Sequence, residues 1–77
     1  MTTGFVLIVT QTGFEHVVRE ELDKINEVKE RWGLFGEFDI LVKIEAEDNV
    51  ALTTLIVSKI RPIQGIRETR TLIGALI

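Results

Sequence analysis

Phe5-Val6-Leu7-Ile8-Val9 is apolar at every position, and the fold has to accommodate that. Successive side chains on a strand point to opposite faces, so a sheet with one wet face reads as alternating apolar and polar residues. Here Phe5, Leu7 and Val9 take one face and Val6 and Ile8 the other, and both faces are apolar. Phe38-Asp39-Ile40-Leu41-Val42 and Thr71-Leu72-Ile73-Gly74-Ala75-Leu76-Ile77 have a similar character. The rest of the chain has room for two short helices, which can cover only one face. An open apolar face of that size is rare on a soluble monomer and usually marks an interface. The chain is expected to hide its second face against a copy of itself.

Size and composition agree with an assembly. Seventy-seven residues make one domain, in the range where oligomerisation often supplies missing burial. Hydrophobic residues are 45% and charged residues 27% of the chain, a globular rather than a disordered composition. The absence of cysteine excludes a disulfide framework and thiolate metal sites, and fits a reducing compartment. A net charge of −3 gives no basic footprint for nucleic acid. No apolar run approaches the ~20 residues needed to cross a bilayer, and Met1-Thr2-Thr3 lacks the basic start of a signal peptide. The expectation is a cytoplasmic chain with no membrane, cofactor or direct nucleic-acid contact.

The hydrophobic period switches cleanly along the chain. Gly4 to Thr10 reads as a strand. Thr12-Gly13-Phe14-Glu15 spells a capping box, with Thr12 at the N-cap and Glu15 at N3. Phe14, Val17, Val18, Leu22 and Ile25 follow at helical spacing. Glu27 to Phe35 and Phe38 to Ala46 read as two strands joined by a tight hairpin at Gly36-Glu37. Asp48 caps a second helix with the stripe Leu52, Leu55, Ile56 and Ile60, which Pro62 ends near Ile60. Ile66 to Ile77 is the last strand.

The resulting order β-α-β-β-α-β is the split-βαβ pattern of α+β ferredoxin-like sandwiches. Right-handed crossovers predict an antiparallel sheet in order 4-1-3-2 with both helices on one face. The end of strand 1, the strand 2–3 hairpin and the start of strand 4 then meet at one end of the sheet. On strand 3, Asp39 shares a face with Leu41 and Lys43, while Phe38, Ile40, Val42 and Ile44 lie under the helices. Asp39 is expected to look out on the open face, at a rim shared with Thr69 and Thr71.

Gly36-Glu37-Phe38-Asp39-Ile40-Leu41-Val42-Lys43 resembles the G-x-[YF]-D-[IL]-x-[VL]-x strand of the effector-binding (RAM) domain of Lrp/AsnC transcription regulators. Lys59-Ile60-Arg61-Pro62-Ile63-Gln64-Gly65-Ile66 is similar to the segment that ends the family's second helix, and Thr69-Arg70-Thr71 to its T-x-T triplet. The resemblance runs from Gly4 to Ile73. Regulators of the family carry an N-terminal helix-turn-helix, whereas this sequence begins at strand 1, so the expectation is a single stand-alone effector domain over 1–77.

The resemblance implies dimers packed sheet to sheet, assembled into octamers or decamers, with amino acids bound between dimers near the hairpin. It implies a ligand set of Gly36, Glu37, Asp39, Thr69, Arg70 and Thr71. In that set Gly36 offers backbone, Asp39 meets the ammonium group, and Thr69 and Thr71 donate hydroxyl hydrogen bonds. Arg70 departs from the small residue usual in the middle of the triplet. Regulation would run through a partner, such as a full-length Lrp/AsnC regulator.

Each residue also has a plain structural reading. Asp39 beside a glycine hairpin can stabilise the turn through its own backbone, Thr69 and Thr71 are ordinary strand residues, and Gly36 can serve only a positive φ. His16, in the first turn of helix 1, reads as a surface residue, and Trp32 as packing at a subunit contact. The alternative function is a small cofactor-independent enzyme on a dimeric ferredoxin-like scaffold. With no Tyr or Cys and a single His, the sequence assembles no nucleophile–base pair. Binding is the favoured reading.

Overall fold

A computed structural model describes residues 1–74, so Ala75, Leu76 and Ile77 of the last expected strand lie outside the described residues. β1 (Thr2–Thr10) lies between β3 (Ile40–Ala46) and β4 (Ile66–Ile73), and β2 (Val28–Gly33) forms the edge beyond β3. All three neighbouring pairs are antiparallel. The order β2-β3-β1-β4 is the expected 4-1-3-2 read from the opposite edge. α1 (Glu15–Asp23) follows β1, and α2 (Asn49–Leu55) follows β3 and runs on as a π-helical turn, Ile56–Ile60.

Alternation along β1 and β3 fixes the core. Val6, Ile8, Val42 and Ile44 are fully buried, and Ile40 is nearly so, beneath Val18 and Leu22 of α1 and Leu52, Leu55, Ile56 and Ile60 of the second helical segment. Full burial of one such side chain contributes about 1.5–3 kcal/mol, so this layer dominates stability. Asp48 caps α2 as expected, its carboxylate accepting from the Ala51 N–H at 2.8 Å. Helical structure ends at Ile60, although Arg61 keeps helical dihedrals ahead of Pro62. At the opposite edge Arg31 of β2 donates to Asp23 at the end of α1 through Nε at 2.7 Å and Nη2 at 2.9 Å. This hydrogen bond holds the Asp23 carboxyl below its ordinary value.

The other face is open. Register places Leu7 beside Leu41, Phe5 beside Leu72, and Trp32 beside Leu41. In the single chain Trp32 remains 40% and Leu72 50% exposed, and Phe5, Leu7, Val9 and Leu41 are only half-buried. Lys43 lies within 3.9 Å of Glu30 and 4.0 Å of Glu45, a charged border to this apolar patch.

Three local expectations need correction. Thr12 does not cap α1. The Phe14 N–H donates to the Gln11 carbonyl at 2.9 Å, and Gly13 at φ +90° occupies the third position of that turn. Thr12 is used inside the turn, Phe14 becomes the N-cap, and the Glu15 carboxylate accepts from the Gly13 N–H at 3.1 Å. The strand 2–3 connection is not a tight turn at Gly36-Glu37. The last register pair is Gly33 with Ile40, so residues 34–39 form a wider loop, closed by the Leu34 N–H donating to the Asp39 carbonyl at 2.8 Å. The third concerns Phe38, which precedes β3 and does not join Ile40 under the helices. It lies 5.5 Å from the guanidinium of Arg70, on the open side of the sheet.

Candidate functional site

The end of β1, the 34–39 loop and the start of β4 meet at one rim of the sheet, where Ile8 pairs with Ile40 and Val9 with Glu68. Asp39 holds this junction. Its N–H donates to the Ile8 carbonyl at 2.8 Å. Its carboxylate oxygen Oδ2 accepts from the Thr10 N–H at 2.8 Å and from Thr10 Oγ1 at 3.2 Å. The carboxylate therefore turns across the end of β1 to Thr10 rather than looking freely out on the open face. Gly36, at φ +128°, lets the loop turn where a side chain would be strained, which supports the conformational reading of that residue.

The T-x-T triplet is phased the other way from the expectation. Ile8 pairs with Thr69 and Val6 with Thr71, so both threonines lie on the helix side. Arg70 pairs with Leu7 and takes the open face, where its guanidinium stacks over Phe38. The six residues do not converge on one point. Gly36 and Glu37 lie in the loop, Asp39 is bonded to Thr10, Arg70 crosses the open face, and Thr69 and Thr71 face the helices.

Thr71 instead lines a groove of about 280 Å³ with Thr53, Ile56, Val57, Arg61 and Ile73, between the second helical segment and β4. A second cavity, of about 300 Å³, opens at the rim and is lined by Val9, Glu37, Arg67 and Glu68. Of its lining, sequence reading singled out only Glu37. Arg67 lies in a β-bulge, because Val9 pairs with Glu68 and Thr10 with Ile66, leaving Arg67 without an opposite residue. Bulges re-aim side chains in this way at sheet rims. Among the described residues, none of Glu37, Arg67 and Glu68 forms an ion pair.

His16 is 71% exposed and pairs with Glu20 at 2.8 Å, a surface residue as expected. Among the described residues no three His, Cys, Asp or Glu side chains gather closely enough to hold a metal ion, and no helix is long and apolar enough to cross a membrane.

Residues 3–74 match the Lrp/AsnC ligand binding domain family. An HTH-type transcriptional regulator of Pyrococcus furiosus is 35% identical over 76 residues, which is 95% of this chain and 51% of that protein. Homocitrate synthase of Saccharolobus islandicus is 44% identical over 54 residues, 70% of this chain and 12% of the synthase. The chain thus spans about half of the regulator and a small part of the synthase. Among solved structures, FFRP-DM1 superposes with a TM-score of 0.93 at 40% identity, covering 97% of this chain and 100% of that one. AsnC of E. coli gives a TM-score of 0.92 at 25% identity, covering 99% of this chain and 52% of its own. The fold also recurs, at 16% identity and a TM-score of 0.90, in a transcriptional regulator from Neisseria meningitidis solved as its L-Met complex, covering 97% of this chain and 50% of that one.

Proposed function

Because the chain belongs to the Lrp/AsnC ligand binding domain family, we propose that it is an amino-acid effector module that signals through its own assembly. One observation carries this reading: Val9 belongs both to the open apolar face and to the lining of the rim cavity. A ligand in that cavity touches the surface on which a second copy packs. Occupancy then biases the assembly, since a ligand shifts an equilibrium by its differential affinity for the two states. Burying Phe5, Leu7, Trp32, Leu41 and Leu72 against a second sheet gives the apolar centre of the interface, and the Lys43–Glu30–Glu45 group its polar border. Assembly is therefore as a dimer or a multiple of dimers.

Within this reading Glu37 and Gly36 belong to the ligand-facing loop. Asp39 anchors that loop, and Arg70 shapes the open face beside it through Phe38. Thr69 and Thr71 act from the helix side by fixing β4. The output runs through a partner that carries the same kind of domain, either a regulator with its own DNA-binding element or an enzyme. The stretch shared with homocitrate synthase favours keeping the enzyme partner in view. The module itself is read as non-catalytic.

A thermal-shift screen of the twenty amino acids tests the proposal, because a ligand at 100 times its Kd stabilises by about 2.7 kcal/mol. At least one amino acid should raise the melting temperature by several degrees. A flat response to all twenty, each at millimolar concentration, would remove the effector role.

A further inference from the structure

The rim cavity is charged in a way that names its ligand. Glu37 and Glu68 bring two carboxylates and Arg67 one guanidinium to a space of about 300 Å³, with Val9 as the apolar wall. Arg67 is directed by the bulge opposite Val9 and Thr10, and Glu68 by its pairing with Val9. Glu37 is held by a loop fastened at Asp39 to both Ile8 and Thr10. All three charges are without an ion-pair partner among the described residues, so the cavity carries a net charge of −1.

Resting on the amino-acid reading above, we infer that this cavity selects a diamino carboxylic acid. Arg67 takes the α-carboxylate in the forked geometry that guanidinium offers. One of Glu37 and Glu68 takes the α-ammonium and the other the side-chain ammonium. Val9 packs against the methylenes between them. The charges then balance: a diamino acid at neutral pH is +1, which cancels the −1 of the cavity. A neutral amino acid leaves one carboxylate unmatched, and a dicarboxylic one adds a second repulsion. A bare divalent cation fits less well, because Arg67 opposes it and no third acidic ligand is present among the described residues.

Calorimetric titration with L-lysine and L-norleucine isolates the point, since norleucine lacks only the terminal amine. Lysine should bind at least about tenfold more tightly than norleucine, the usual worth of one charge-assisted hydrogen bond, and L-glutamate should not bind. Of Glu37→Gln and Glu68→Gln, one should weaken lysine and norleucine alike, and the other should weaken lysine alone. Arg67→Gln should weaken both amino acids while strengthening cadaverine, which has no carboxylate and whose two ammonium groups Arg67 repels. All three positions are exposed, so the variants should melt near the parent temperature. Equal binding of lysine and norleucine, or lysine binding untouched by either Glu substitution, would overturn the diamino selection. Tighter binding of a neutral or dicarboxylic amino acid than of lysine would do so while sparing the effector reading. Failure of all twenty amino acids to bind would sink both.

Discussion

The carboxylate of Asp39 accepts two hydrogen bonds from Thr10, one from its N–H at 2.8 Å and one from its hydroxyl at 3.2 Å, and so closes the open end of β1. Thr10 is only 6% exposed, so water cannot replace that acceptor easily. Asp39→Ala leaves a buried N–H unsatisfied and should lower stability by about 1–3 kcal/mol in urea unfolding. Asp39→Asn keeps an acceptor oxygen and should cost less than half as much. Costs near zero for both substitutions would mean that Thr10 does not depend on this carboxylate.

The two sheet faces should respond differently to an inserted charge. Ile8 is fully buried under the helices, so Ile8→Glu places an unpaired carboxylate in the core at a cost of several kcal/mol, about what a small domain has in total. That variant should lose its cooperative melting transition. Leu41 lies on the open face and is half-buried in the single chain, so Leu41→Glu should keep β-sheet and helix circular dichroism while losing mass in solution. Leu41→Glu chains that keep the parent mass would show that the open face is not the contact.

Gly65 and Gly36 both have positive φ, +99° and +128°, but their surroundings differ. A Cβ at Gly65 would stand 2.5 Å from the Phe14 Cβ and 2.8 Å from its ring, whereas one at Gly36 meets nothing within 4 Å. Gly65→Ala combines backbone strain with displacement of Phe14 and should cost about 3 kcal/mol or more. Gly36→Ala should cost about 1–2 kcal/mol from strain alone. Chemical denaturation of the two variants checks the order, and a Gly36→Ala cost above that of Gly65→Ala would contradict it.

These contacts also separate what sequence carries from what only packing decides. Asp39 and Lys43 share one face of their strand, which puts Ile40, Val42 and Ile44 under the helices, because slipping by one residue would bury those charges. The wholly apolar run 5–9 of β1 takes its phase from pairing with β3. Strand order followed from the element sequence and crossover handedness. The phase of β4 was harder to read, since Arg67-Glu68-Thr69-Arg70-Thr71 has no apolar alternation to set it. One signal was present: Ile66 and Ile73 stand an odd number of residues apart, yet both lie on the helix side, which unbroken alternation forbids and the bulge at Val9/Thr10 permits. That same bulge aims Arg67 into the rim cavity, so missing it hid both Arg67 and Glu68. Thr12 and Glu15 spell a capping box, but Gly13 between them satisfies a turn first.

Light scattering of the purified chain at micromolar concentration tests most directly whether the open sheet face is a subunit contact. The apolar surface formed by Phe5, Leu7, Trp32, Leu41 and Leu72 predicts a mass of two chains of 8.7 kDa or a whole-number multiple of that pair. A single species at 8.7 kDa, unchanged by any amino acid, would contradict the account at its root.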